Sequence, residues 1–256
     1  ECDSPVVVAT KFGRGEGVYP DNYSESILLQ SIEASLKRLG TDTIDLLQLH
    51  CIPTEVLRQG DVFNWLRRAK QNGLIRHFGA SVETVEEGLI CLEQDGLLSL
   101  QVIFNIFRQK MVSELLPEAK ARGLGIIARL PLASGLLSGK FTRETTFIPT
   151  DHRNYNRDGA SFNVGETFAG LPFAKGIELV EMIKKMLPGD ISMAQLALRW
   201  ILDHDAVSTV IPGASSAVQV KTNADSSNLE QIPEALHKNL RNLYAEQIHT
   251  HIRGPY

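Results

Sequence analysis

Short apolar runs alternate along the chain with segments whose apolar residues recur every three or four positions. Val6 to Phe12 (VVVATKF) is a β-branched run ending at glycine, which predicts a strand. Ile27, Leu28, Ile32, Leu36 and Leu39 follow at helical spacing, with Gly40 as a stop. IDLLQLH, IRHFGAS, LQVIFN, LGIIARLPL and VSTVIPG read as further strands. Helical patterns separate them: DVFNWLRRAKQNG, ETVEEGLICLEQDG, FAKGIELVEMIKKML and SMAQLALRWILDH, with SELLPEAKARG expected to hold its proline in the first turns. The stretch IPEALHKNLRNLYAEQIHTHIRG reads as one amphipathic helix.

Six strands result, each followed by at least one helix. Mostly apolar strands imply a sheet covered on both faces, hence parallel pairing and an α/β architecture. An open doubly wound sheet and a (β/α)8 TIM barrel both fit that order. No GxGxxG follows any strand, which removes the main support for the open dinucleotide-binding sheet. Lys11, His50, Ser81, Arg129 and Gly213 fall at strand C-terminal ends, where a barrel builds its mouth. The expectation is a single barrel domain over residues 1–256, N-terminally incomplete, with six of eight βα units. Residues 141–172 carry no regular period, and they read equally as a lid over the barrel mouth or as a surface excursion.

Composition changes this picture only by exclusion. A net charge of −4 offers no basic field for nucleic acid or an anionic membrane. The apolar runs fall far short of the roughly 18 residues of a membrane span. Cys2, Cys51 and Cys91 lack CxxC spacing, which argues against a disulfide framework or a structural metal site and for a reducing, cytoplasmic setting. Cys51 reads as a small buried hydrophobe, turned to the opposite side from His50 by strand alternation. The first residue is Glu1 and no secretory pattern follows it, so a trimmed or processed piece is expected.

Candidate chemistry sits at the strand ends and in two loops. A lysine ending a strand either snorkels outward or points into the mouth, and a histidine there is either a satisfied core residue or a site residue. Finding both at equivalent ends strengthens each. PLASGLLSGKF (Pro131 to Phe141) is small and Gly/Ser-rich, with Lys140, as a pyrophosphate cradle requires. It is not a Walker loop, because Phe141 stands where Ser or Thr is needed. IPGASSAVQVKTN places Gly213, Ser215 and Ser216 at a strand-to-helix junction, with Gln219 and Asn223 on one helical face. Simple helix capping by the serines explains the same pattern.

Those motifs, in that order, resemble the aldo-keto reductase superfamily from Val6 to about Leu229. ATKFG is similar to the family's third-strand lysine motif, and DTIDLLQLHCIP to its fourth-strand histidine motif. IRHFGASV is similar to the fifth-strand segment, and the two Gly/Ser-rich stretches to the cofactor-phosphate segments. The resemblance implies a metal-free barrel that reduces a small carbonyl substrate with NADPH, as a monomer or small homo-oligomer. It implies that Lys11 lowers the pKa of a catalytic tyrosine and that His50 orients the substrate carbonyl. Ser81 and Gln101 would hold the nicotinamide carboxamide, and Arg129 would lie against the nicotinamide. Leu132, Ser134 and Lys140 would meet the pyrophosphate; Gly213, Ser215, Gln219 and Asn223 would meet the adenosine end.

Three departures stand out. Val82 replaces the asparagine usual after that serine, Thr222 stands where an acidic residue often binds adenine, and IPG lacks a lysine for the 2′-phosphate. The family's tyrosine and aspartate precede Lys11 by some tens of residues, and neither Tyr19 nor Tyr23 matches. The chain as written is therefore expected to be inactive, as part of a larger reductase. The alternative is a non-catalytic nucleotide-binding relative with a regulatory or sensory role. An aldolase using Lys11 as a Schiff base is disfavoured by the paired phosphate segments.

Overall fold

The structure, a computed structural model, describes residues 6–189 and 191–256; Cys2 lies outside them. The chain divides into two compact units: residues 1–101 with 118–125, and residues 102–117 with 126–256.

The first unit contains β1 (Ala9–Phe12), α1 (Glu25–Leu39), β2 (Ile44–His50), α2 (Thr54–Gln59), α3 (Asp61–Gln71), β3 (Ile75–Ser81), α4 (Val85–Leu92) and most of β4 (Leu97–Ile103). Neighbours pair in parallel, β1 with β2, β2 with β3 and β3 with β4. The expected first strand shortens to four residues, leaving Val6 and Val7 exposed. Helix α1 begins where Ser24 accepts from Ile27 N and ends where left-handed Gly40 donates to Leu36 O. Its stripe of Leu28 and Ile32 is fully buried, as are Leu49, Phe63, Leu66 and Phe78. Thr84 and Glu87 cap α4 reciprocally.

The second unit contains most of α5 (Met111–Ala121), β5 (Gly125–Arg129), α6 (His152–Tyr155), α7 (Phe173–Lys184), α8 (Met193–Leu202), β6 (Val207–Val210), α9 (Ala217–Asp225) and α10 (Glu234–Leu243). β5 pairs in parallel with β6. Trp200, on α8, packs its ring 5.0 Å from Phe104 and 4.6 Å from His204. Two expectations fail here. Pro117 sits in the second half of α5 rather than its first turns; it and Ser113, whose carbonyl loses its helical donor, both face solvent, so water can serve the orphan group. The C-terminal helix is regular only to Leu243, then loosens into a π turn at Tyr244–Ile248 and a tighter turn at His249–His251.

The aperiodic stretch 141–172 is built from α6 and two short turns, Val164–Glu166 and Phe168–Gly170. Phe147 anchors it, 5.3 Å from Phe141, 5.8 Å from Phe168 and 5.7 Å from Phe173 between ring centroids. The Arg153 guanidinium lies 4.5 Å from the Phe147 ring centroid. Long-range aromatic contacts, not local periodicity, order this segment. Among the described residues no helix is long and apolar enough to cross a membrane.

Candidate functional site

The first unit gathers Lys11, His50, Ser81 and Gln101 through strand register. His50 pairs with Ser81 across β2 and β3, and Ser81 pairs with Gln101 across β3 and β4. Paired residues of a parallel ladder share a face, so these three form one row at the strand C-terminal ends. Lys11 pairs with Gln48, two residues before His50 and therefore on the same face. Residues of the opposite face, Leu47, Leu49, Ala80 and Leu100, are buried in the core.

A register shift between Phe78 and Gly79 completes the row. Phe78 pairs with Leu97, but Gly79 pairs with Ser99, so β4 gains one residue on β3. Without that extra residue Ser81 would face Leu100 instead of Gln101. Gly79 makes the close approach possible, since a Cβ there would lie 2.5 Å from Ser99 Oγ and 2.7 Å from its carbonyl oxygen.

Ser81 and Gln101 are buried, whereas Lys11 and His50 are exposed. Gln101 Oε1 and Gln48 Nε2 are buried without hydrogen-bond partners, one an acceptor and one a donor on the same face. Gln48 was missed from the sequence; the available signal was a lone amide inside an otherwise apolar strand. Cys51 is buried as expected, but its side is not the one alternation gives. The strand ends at His50, Cys51 turns left-handed at φ 46°, and its Sγ lies 3.6 Å from Ser81 Oγ. Alternation cannot be carried past the last strand residue. Tyr23 donates to Gly13 O at 3.0 Å, and burial pushes its pKa up to about 12. That shift runs against service as a proton donor near neutrality.

In the second unit the expected ligands are engaged with their own loops. Arg129, buried at the end of β5, pairs with Glu166 at 2.8 Å. Ser134 Oγ donates to Glu166 O and accepts from Phe168 N, both at 3.1 Å. It thereby joins two strained turns, because Ala133, Ser134, Phe168 and Ala169 all have positive φ. Glu166 gave no sequence signal, since its partner lies 37 positions away. Leu132 O accepts from Gly135 N and Leu137 N, and Lys140 is exposed.

At α9 the capping reading and the ligand reading compete for the same atoms. Ser216 caps the helix, and Gln219 Oε1 accepts from Ser215 N at 2.7 Å and Ser215 Oγ at 3.0 Å. Nothing approaches the Cβ position of Gly213, so sterics do not require glycine there. Asn223 donates to Gly213 O at 3.5 Å and lines a cavity of about 500 Å³ between α8, β6 and α9.

The Aldo/keto reductase family matches residues 3–245. The rice protein named "Probable voltage-gated potassium channel subunit beta" is 31% identical over 244 residues, covering 90% of this chain and 70% of that protein. The L-glyceraldehyde 3-phosphate reductase of Escherichia coli K12 is 31% identical over 231 residues, covering 87% and 65%. Among solved structures, the aldo-keto reductase AKR11C1 of Bacillus halodurans in its holo form superposes with a TM-score of 0.70 at 25% identity, covering 93% of this chain and 72% of that one. The six strands and their helices are thus six βα units of the (β/α)8 barrel type. With its lysine, histidine, serine and glutamine motifs in order, the chain belongs to the aldo/keto reductase family.

Proposed function

We propose that the protein reduces an aldehyde or ketone to an alcohol with NADPH. The observation that carries this reading is the polar row at the ends of β2, β3 and β4, with Lys11 on the same face. A nicotinamide carboxamide brings one donor and one acceptor, which fits the unpartnered Gln101 Oε1 and Gln48 Nε2. Bound there, the cofactor would supply hydride to the carbonyl carbon. Ser81 and Gln101 would hold the carboxamide, and the His50 imidazole would orient the substrate carbonyl by hydrogen bonding to its oxygen. Lys11 would favour the deprotonated form of the family's proton-donating tyrosine, a residue that neither Tyr19 nor Tyr23 matches, as a cation within about 4–6 Å does. Leu132, Ser134 and Lys140 hold the pyrophosphate, with Ser134 exchanging its present bonds for the ligand. Arg129 would lie against the nicotinamide, and Gly213, Ser215, Gln219 and Asn223 would contact the adenosine end. Residues 141–172 would cover the bound cofactor.

The full-length protein should oxidise NADPH in the presence of an aldehyde panel. Lys11→Met should lower turnover by on the order of 10²-fold or more while cofactor affinity holds. Unchanged turnover would refute the role given to Lys11. The similarity to proteins named as channel β subunits supports a second reading, a nucleotide-binding regulatory subunit. That reading predicts cofactor binding without turnover of any aldehyde.

A further inference from the structure

Strand β1 is four residues long and pairs with β2 alone among the described residues. One short ladder carries few backbone hydrogen bonds, so its end frays unless something else ties it down. Lys11 rides on this strand one residue before its end, on the face it shares with His50. The ladder stops at Phe12, opposite Leu49. Gly13 then takes φ 127°, pressed so close to the exit of β2 that a Cβ would collide with Ile52 Cγ2.

Arg14 takes over where the ladder stops. Its Nε donates to Cys51 O at 3.1 Å, and its Nη2 donates to Glu83 Oε1 at 3.2 Å. The face of the same guanidinium lies 4.7 Å from the Tyr19 ring centroid. One planar group thus joins the exit of β1 to the exits of β2 and β3, with a rigidity that a single ammonium lacks. Its partners are fixed in turn. Cys51 N donates to Ser81 O at 2.9 Å, so both backbone groups of Cys51 are engaged, and its strained left-handed φ is held in place. Glu83 N donates to Glu87 Oε2 at 2.8 Å, and Thr54 Oγ1 donates to Glu87 Oε1 at 2.8 Å.

We propose that Arg14 is a positioning residue: it clamps the end of β1 to the exits of β2 and β3 and so holds Lys11 in place beside His50. The proposal rests on the reductase reading for the role of Lys11, whereas the clamp itself does not. Arg14 acts through Lys11 and stays outside the reacting atoms.

A double-mutant cycle on the full-length protein, read by NADPH oxidation with an aldehyde panel, provides the test. Arg14→Met removes both N–H bonds and should lower kcat by about tenfold or more, as a small displacement of a reacting group does, with NADPH affinity unchanged within about twofold. In a Lys11→Met background the same substitution should lower kcat no further, because the group it positions is gone. Arg14→Lys keeps the charge without the planar fork, so its kcat should fall between those of the parent and Arg14→Met. Hydrogen exchange read by mass spectrometry needs no turnover: Arg14→Met should speed exchange of the β1 amides and leave those of α3 unchanged. Losses that multiply in the double variant, β1 amides that exchange at the parent's rate, or a rise that includes α3 would each overturn the proposal. A parent that binds NADPH without turning over any aldehyde would remove the reductase reading instead, and the exchange rates then decide the clamp.

Discussion

The two units position their candidate residues by different means. In the first, Lys11, His50, Ser81 and Gln101 ride on strands whose backbone groups are satisfied by neighbouring strands. The buried Gln48 Nε2 and Gln101 Oε1 on that face stay uncommitted. In the second, the candidates after Arg129, which ends β5, lie in turns and at a helix start, where backbone groups have no ladder. Ser134 and Gln219 therefore spend their oxygens on Glu166, Phe168 and Ser215. The two ladder amides are ready for a ligand, whereas Ser134 and Gln219 must trade bonds to meet one.

Four substitutions or conditions test that contrast. The largest effect should come from Gly79→Val, whose Cβ would collide with the Ser99 backbone and drive β3 and β4 apart. Overpacking of this kind costs about 2–3 kcal/mol, read from the urea midpoint, and cofactor affinity should fall with it because the Ser81–Gln101 pairing is lost. Next, Ser134→Ala should cost about 1–2 kcal/mol in the same assay by orphaning Phe168 N–H. If its unfolding midpoint does not move, the clasp between the two turns contributes nothing. Gln101→Leu makes the opposite case: stability should hold or rise slightly, since an unpaired acceptor is removed, while cofactor affinity drops about tenfold. Loss of stability without loss of affinity would contradict its role as a ready ligand.

The smallest effect is a pH dependence confined to the second unit. Burial, more than the nearby His237, holds the His204 imidazole below its ordinary value, with the Trp200 carbonyl and Asp203 pulling the other way. The unfolded chain takes up a proton near pH 6.5 that the folded protein resists. Stability is thus intact above that pH and declines as pH falls through it toward the folded value. Thermal melts across that window should show the decline, and His204→Gln should flatten it.

Much of the architecture was legible in the chain because its signals are local. IDLLQLH and IRHFGAS define β2 and β3 to the residue, and Gly40 stops α1. Helix α2 escaped notice because it starts after Pro53 with no capping side chain. Cys51 was misplaced because a left-handed residue ends the alternation on which the reading relied. Arg14 carried no signal, since a lone arginine in FGRGEG looks like any surface cation until its partners are known.

What the sequence alone determined was the element order and the residues that arrive at strand ends, Lys11, His50 and Ser81. Periodicity and capping act over a few positions, and a chain states them directly. The tertiary structure decided the rest: the extra residue in β4 that sets Gln101 beside Ser81, the Arg129–Glu166 pair, and the grip of Arg14 on Cys51 and Glu83. Each depends on packing between segments far apart in the chain, where steric contact and desolvation, not local pattern, select the partner.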